Sequence, residues 1–124
     1  MSFAMIEEGL KNFCARWTKN SSQVMSFRSE AILNKNLLLR IENGPSYTLR
    51  IQPQKAKLTL GEAESVNATV TMSKEDWAAV LAGEYNIDGV AFAGRCPYPR
   101  HERRLIRQLG IIIQTTLLLE GQGE

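Results

Sequence analysis

The sequence is poor in the residues that build catalytic and metal centres. Its 124 residues include two cysteines, Cys14 and Cys96, and one histidine, His101. Two distant cysteines are too few for a disulfide framework and too far apart for a zinc knuckle. Cys96, with arginines nearby to lower its thiol pKa, is the one candidate nucleophile, but no acid is placed to orient His101. We therefore expect no enzyme activity, no metal and no cofactor.

Long apolar runs and a strong net charge are also missing. The longest apolar stretch, residues 105–119, is too short to span a bilayer and is interrupted by Arg107, Gln108 and Gln114. The first eight residues carry two glutamates where a secretory signal has an apolar run behind basic residues, so we expect a cytoplasmic protein. The net charge of +2, without exposed aromatics interleaved among the basic residues, gives no indication of nucleic-acid binding.

The sequence does contain a change of hydrophobic period near residue 36. Before it, apolar side chains at spacings of three and four predict an amphipathic helix; they are Phe3, Ile6, Leu10, Phe13 and Trp17. After it, apolar and polar residues alternate in four segments, 37–41, 47–51, 56–60 and 66–72. Strands with one polar face favour antiparallel pairing, so these segments predict a sheet with one face to be covered.

The second half of the chain predicts two further helices and another strand. Ser73 can cap a helix that begins with acidic residues, and residues 89–96 read as a fifth strand interrupted by glycines. The last helix runs from about residue 101 to residue 119. We therefore expect one α+β domain over residues 1–124, with two layers: a five-stranded, mostly antiparallel or mixed sheet, and helices that cover one of its faces.

The last helix is more apolar than a single buried stripe requires. From residue 111 onward it is apolar nearly all round, so it needs burial on more than one side. An ordinary core, a partner subunit or a lipid in a cavity could each bury the second side. Runs of isoleucine and leucine offer few groups for polar recognition, which suits a cavity that selects its ligand by size and shape.

Arginines crowd the beginning of this helix against a single acid, Glu102. They are Arg95, Arg100, Arg103, Arg104 and Arg107. Cations at a helix N-terminus oppose the helix dipole, and an acidic headgroup or an anionic membrane surface would relieve that arrangement. A solvated basic helix end, with arginine stems lying over apolar surface, is the simpler alternative.

An ordered set of motifs resembles the sterol carrier protein-2 family. TVTMSKEDW at 69–77 and LAGEYN at 81–86 are similar to the family's Thr/Ser-Met-Ser step, acidic pair, aromatic residue and Gly-containing turn. VAFAGR at 90–95 resembles a later strand of the family, and SYTLRI at 46–51 an earlier one. The resemblance covers about residues 36–119. CPYPRH at 96–101 departs from the pattern, because its prolines would reshape the mouth of any ligand tunnel.

The resemblance implies a lipid carrier with no catalytic machinery. Its ligand, a sterol, a fatty acyl chain or another lipid, would lie in an apolar tunnel between the sheet and the helices. The implied contacts are Trp77, Val80, Leu81, Phe92, Leu105, Leu109, Ile112, Ile113 and Leu117. The alternative is that these side chains are ordinary core and that the same fold serves as a protein-interaction or homodimerisation module through residues 105–119.

Overall fold

The computed structural model describes residues 2–24 and 32–122, with side chains described for residues 2–20 and 32–117. Within these ranges the chain forms four helices and four strands. In chain order they are α1 (Phe3–Val24), β1 (Asn36–Ile41), β2 (Ser46–Gln52), β3 (Lys55–Leu60), β4 (Ala68–Met72), α2 (Lys74–Leu81), α3 (Ile87–Phe92) and α4 (Arg103–Gln122). A 3₁₀ turn, Arg100–Glu102, leads into α4.

The four strands predicted from the alternation of residues are confirmed, and they form one mixed sheet. Its order is β3-β2-β1-β4, in which β1 pairs antiparallel with β2 and parallel with β4. The register places Leu39 beside Tyr47 on one neighbour and Val70 on the other. All three are buried, whereas Arg40, the next residue of β1, is exposed. A slip of one residue would exchange these faces, so the apolar pattern fixes the register.

Two tryptophans attach helices to the sheet. Both Trp17 on α1 and Trp77 on α2 are fully buried. The indole N–H of Trp17 donates to the carbonyl of Gln52 at 2.9 Å, and that of Trp77 donates to the carbonyl of Arg40 at 2.8 Å. Each side chain therefore fills the core and satisfies its one polar group on the backbone of the sheet. Among the described residues, no helix is long and apolar enough to cross a membrane.

The predicted fifth strand is wrong, because residues 89–92 belong to α3 and residues 93–96 form a turn and a bend after it. The side chain of Asn86 accepts a hydrogen bond from the backbone N–H of Gly89 at 2.6 Å and so caps the first turn. Ile87 and Val90, one turn apart, are buried on the inner side of α3. Gly94, at a φ of +81°, ends the helix. The sheet therefore has four strands in the described part of the chain.

Side chains, rather than a fifth strand, cover the outer edge of β4. The backbone N–H of Thr69 donates to Oε1 of Glu102 at 2.7 Å. The backbone N–H of Thr71, two residues further along the same edge, faces the thiol of Cys96. The segment between these two partners contains Pro97, which has no N–H to offer a strand ladder. This segment therefore does not pair with β4 as a strand. The side chains of Glu102 and Cys96 bind the backbone N–H groups at this edge of the sheet instead.

Candidate functional site

A cleft lies between the end of α2, the loop that follows it, and the middle of α4. Its volume is about 190 Å³, and it is partly open to solvent. Val80, Ile113 and Leu117 contribute apolar side chains to its lining, and Tyr85 and Gln114 also line it. The arrangement is a hydrocarbon-sized depression with a small number of hydrogen-bonding groups, as small-molecule sites generally are.

The loop over this cleft is shaped by the way α2 ends. Gly83, at a φ of +81°, donates its N–H to the carbonyl of Val80 at 3.1 Å, and Glu84 donates to Ala79 at 2.9 Å. This pair of hydrogen bonds is a Schellman motif, which favours glycine at the position of positive φ. The chain therefore turns sharply at Gly83 and leaves Val80 at the floor of the cleft.

Two further depressions follow the cleft along α4, and we call the row of three the groove. A small depression of about 30 Å³ shares Asn86, Gly110 and Gln114 with the cleft, and a wide depression of about 640 Å³ shares Asp88 and Arg107 with the small one. The groove thus runs between α4 and the α3 region, from an apolar end at Leu117 to a basic end at Arg107. Ten residues of α-helix separate those two ends, a distance of about 15 Å.

The structure divides the nine predicted apolar contacts into three groups. Val80, Ile113 and Leu117 line the cleft, and Val80 and Ile113 are at the same time part of the buried core. Trp77, Leu109 and Ile112 belong to the buried core, and Leu81 and Leu105 are partly buried against it. Phe92 is 96% exposed and lies at the wide, basic end of the groove. Among the described residues, the depression lined by three of the predicted contacts is an open cleft at the border of the core.

The five predicted arginines are not equivalent. Arg95 pairs with Asp76, whose Oδ2 lies 3.0 Å from its Nε, and Arg107 pairs with Asp88 at 3.2 Å. The other three are exposed and form no ion pair within the described residues; they are Arg100, Arg103 and Arg104. The positive charge that remains available therefore lies around the 3₁₀ turn and the first turn of α4.

The environment of the candidate nucleophile opposes nucleophilic chemistry. Cys96 is buried, and burial raises the pKa of its thiol from 9.0 to about 11 despite the lowering effect of the Thr71 N–H. The neighbouring arginines were expected to lower this pKa, but Arg95 turns towards Asp76. The thiolate, which is the reactive form, is therefore scarce at neutral pH. His101 is 79% exposed and lies 3.6 Å from Glu102, outside the groove.

Sequence reasoning missed six residues of the cleft: Ala82, Gly83, Tyr85, Asn86, Gly110 and Gln114. Gly110 carried a usable signal. A glycine in the middle of an otherwise apolar helix lowers helix propensity, so it indicates a position where another group approaches closely. In the structure that group is Ile87, whose Cβ would lie 3.4 Å from a Cβ built on Gly110.

Fold and site together define the class: an α+β sheet protein whose last helix borders an apolar cleft. Among protein families and curated proteins, none matches this sequence. Solved structures do match. A ubiquinone synthesis protein described as UbiJ-SCP2 superposes with a TM-score of 0.64 at 12% identity, over 93% of this chain and 90% of that chain.

Two insect proteins are similar over most of their length. The palmitated SCP2L2 of Aedes aegypti gives a TM-score of 0.60 at 18% identity, over 86% of this chain and 92% of that chain. The sterol carrier protein domain 2 of Helicoverpa armigera gives 0.55 at 18% identity, over 81% and 84%. The chain therefore has a sterol carrier protein-2-like fold, as the ordered motifs of its sequence indicated.

Proposed function

We propose that this protein is a non-catalytic lipid carrier that holds the hydrocarbon part of its ligand in the cleft beside α4. The cleft is the observation that carries the proposal. Val80, Ile113 and Leu117 give it an apolar floor, and it lies in a fold shared with proteins described as sterol carriers. Hydrocarbon placed against these side chains would be removed from water, at a gain of about 25 cal/mol for each Å² buried.

A single alkyl chain suits the groove better than a fused-ring sterol. A cavity of about 150 Å³ is known to hold a benzene ring, so a cleft of about 190 Å³ accommodates only part of a lipid. The rest of a chain can follow α4 toward Arg107, about 15 Å away, which is half the ~30 Å hydrocarbon thickness of a bilayer. One acyl chain spans that half. The palmitated state of the Aedes aegypti neighbour supports this choice of ligand.

Carriage without catalysis is part of the proposal. The buried Cys96 thiol, with its pKa raised to about 11, and the exposed His101 do not form a nucleophile–base pair. The groove offers a ligand contact surface and arginines at one end, and among the described residues no activated group lies beside its apolar lining. We propose accordingly that the ligand leaves unchanged, after transient contact of the protein with an anionic membrane.

Native mass spectrometry of the purified protein, followed by lipid extraction, tests the proposal. We expect a bound lipid, or uptake of added fatty acid at one equivalent per chain. A protein that is empty and stays empty when fatty acids or sterols are added would refute the carrier function. A doubled mass without lipid would instead support dimerisation through α4, the alternative that the sequence left open.

A pair of variants connects binding to the cleft. Leu117→Ser removes half-buried apolar surface from the apolar end, and we expect the Kd for a fluorescent fatty acid to rise about fivefold. Leu60→Ser is the matched control, because Leu60 is 71% exposed on β3, away from the groove. Equal affinity for the two variants would show that the ligand binds elsewhere.

A further inference from the structure

An exposed aromatic side chain and unpaired arginines lie together at the wide end of the groove. Phe92, Tyr98 and Arg103 all line the depression of about 640 Å³. Arg100 and Arg104 flank Arg103 along the chain. We call this surface, defined by Phe92, Tyr98, Arg100, Arg103 and Arg104, the basic face.

The exposure of Phe92 follows from the way α3 packs. Ile87 and Val90 turn inward, and the Schellman motif at Gly94 ends the helix two residues after Phe92. The ring therefore stands on the outer side of the last turn of α3. At 96% exposure it is the most exposed large apolar side chain in the described part of the protein. A single exposed apolar side chain is common on protein surfaces, so the residues around Phe92 determine whether it indicates a binding surface.

Those surroundings are positively charged. Residues 87–107 contain five arginines against two carboxylates, Asp88 and Glu102, so this stretch is more positive than the whole chain at +2. Asp88 is engaged by Arg107, and Glu102 turns to the N–H of Thr69 on β4. Asp88 is thus paired, whereas Glu102 keeps its negative charge and offsets one of the three arginines of the basic face, so a net positive charge remains there.

We propose that the basic face docks the protein on an anionic lipid bilayer, with Phe92 entering the headgroup region and the arginines on lipid phosphates. The inference rests on the proposed function, because a lipid carrier has to exchange its ligand with a bilayer. Basic residues beside an exposed aromatic ring combine electrostatic attraction with a small apolar anchor. Docked in this way, the groove opens toward the membrane at Arg103 and Arg107, and its apolar end lies about 15 Å further along α4.

A bilayer fits this face better than nucleic acid does. Single-stranded nucleic acids are bound by successive aromatic platforms between the basic residues. Here one exposed ring stands at the border of the arginines, and Tyr98 is only partly exposed. An apolar anchor beside a lipid-sized groove is what a membrane contact requires.

The test is co-sedimentation with phosphatidylcholine vesicles that contain or lack phosphatidylglycerol. We expect binding only to the anionic vesicles, with a strong decrease at high salt. Arg103→Gln/Arg104→Gln should weaken binding roughly fivefold for each arginine removed, and Phe92→Ser about tenfold. Matched controls are Lys55→Gln/Lys57→Gln and Leu60→Ser, which change exposed residues of β3; these should bind as the unchanged protein does.

Fatty-acid binding without vesicles separates this inference from the proposed function. Arg100→Gln/Arg104→Gln, which changes two arginines that line none of the three depressions, should lose vesicle binding and still bind a fluorescent fatty acid in solution. Vesicle binding that is equal in the basic-face and β3 variants would overturn the inference and leave the carrier function standing. Tighter binding to a single-stranded oligonucleotide than to the anionic vesicles would also overturn it.

Discussion

A substitution at Gly110 should increase the stability of the protein and decrease its affinity for the ligand. Gly110 is buried on α4, it lines the cleft, and a Cβ built on it meets Ile87 Cβ at 3.4 Å and Ile87 N at 3.7 Å. Both distances are ordinary van der Waals contacts. Gly110→Ala can therefore be accommodated without displacement of α3, and because Gly110 lines both the cleft and the small depression, we expect the new methyl group to narrow the groove there.

The expected magnitudes have opposite signs. Alanine in place of glycine within a helix stabilises the fold by about 0.5–1 kcal/mol, because the unfolded chain loses conformational freedom. That gain should raise the Tm by about 2–5 °C. In the groove, the methyl group should displace one or two methylenes of a bound chain, each worth about 0.8 kcal/mol, so the Kd should rise about 4- to 15-fold.

Thermal unfolding and titration with a fluorescent fatty acid measure the two effects on one sample. Gly9→Ala is the control, since Gly9 lies on α1 and its added Cβ would meet Leu81 Cδ1 at 3.1 Å, outside the cleft lining. It should leave the Kd unchanged, and its gain in stability should be smaller because Leu81 has to move. A stabilised Gly110→Ala protein with undiminished affinity would refute the position that we give to the ligand.

Two further predictions concern buried groups. The fully buried hydroxyl of Thr116 has no hydrogen-bond partner in the described structure. Thr116→Val should therefore raise the free energy of unfolding, measured by urea denaturation, by about 1 kcal/mol. A loss of stability would contradict this. Burial raises the thiol pKa of Cys14 and Cys96 from 9.0 to about 11, so thiols ionise first in the unfolded chain and stability should fall as the pH rises from about 9 to about 11. The midpoints of urea denaturation at pH 8 and pH 10 measure this loss of stability. A midpoint that does not fall between these pH values contradicts the raised pKa of the two thiols.

The sheet and α2 were predictable because their signals are local. Alternation over 37–41 places every second side chain on one face, and the parallel and antiparallel neighbours of β1 bury the same face. Ser73 caps α2 as expected, and its Oγ accepts the N–H of Asp76 at 3.1 Å. The fifth strand failed for a local reason too. Asn86 and Asp88 are a helix-start signal, and it outweighed the strand-like appearance of the residues that follow.

The candidate site was predictable only as far as one helix allows. The apolar excess of α4 predicted burial on more than one side, but Ile111 is 49% exposed while Ile112 and Ile113 are buried, because successive residues of a helix point 100° apart. Which of them meets core and which meets cleft depends on α1, α3 and the loop after α2. The pairing of Arg95 with Asp76 likewise depends on two helix ends that lie 19 residues apart in sequence.

The missing fifth strand and the basic face have one origin in the chain. A strand beside β4 would have paired with the N–H groups of Thr69 and Thr71, and its side chains would have alternated between the core and the solvent. Glu102 and Cys96 reach the same edge from a turn and a proline-containing segment, so the edge is protected against pairing with another chain. The residues around Glu102 and Cys96 do not form a strand, so apolar and polar side chains need not alternate among them. An exposed Phe92 and a cluster of arginines can therefore lie at the same end of the groove.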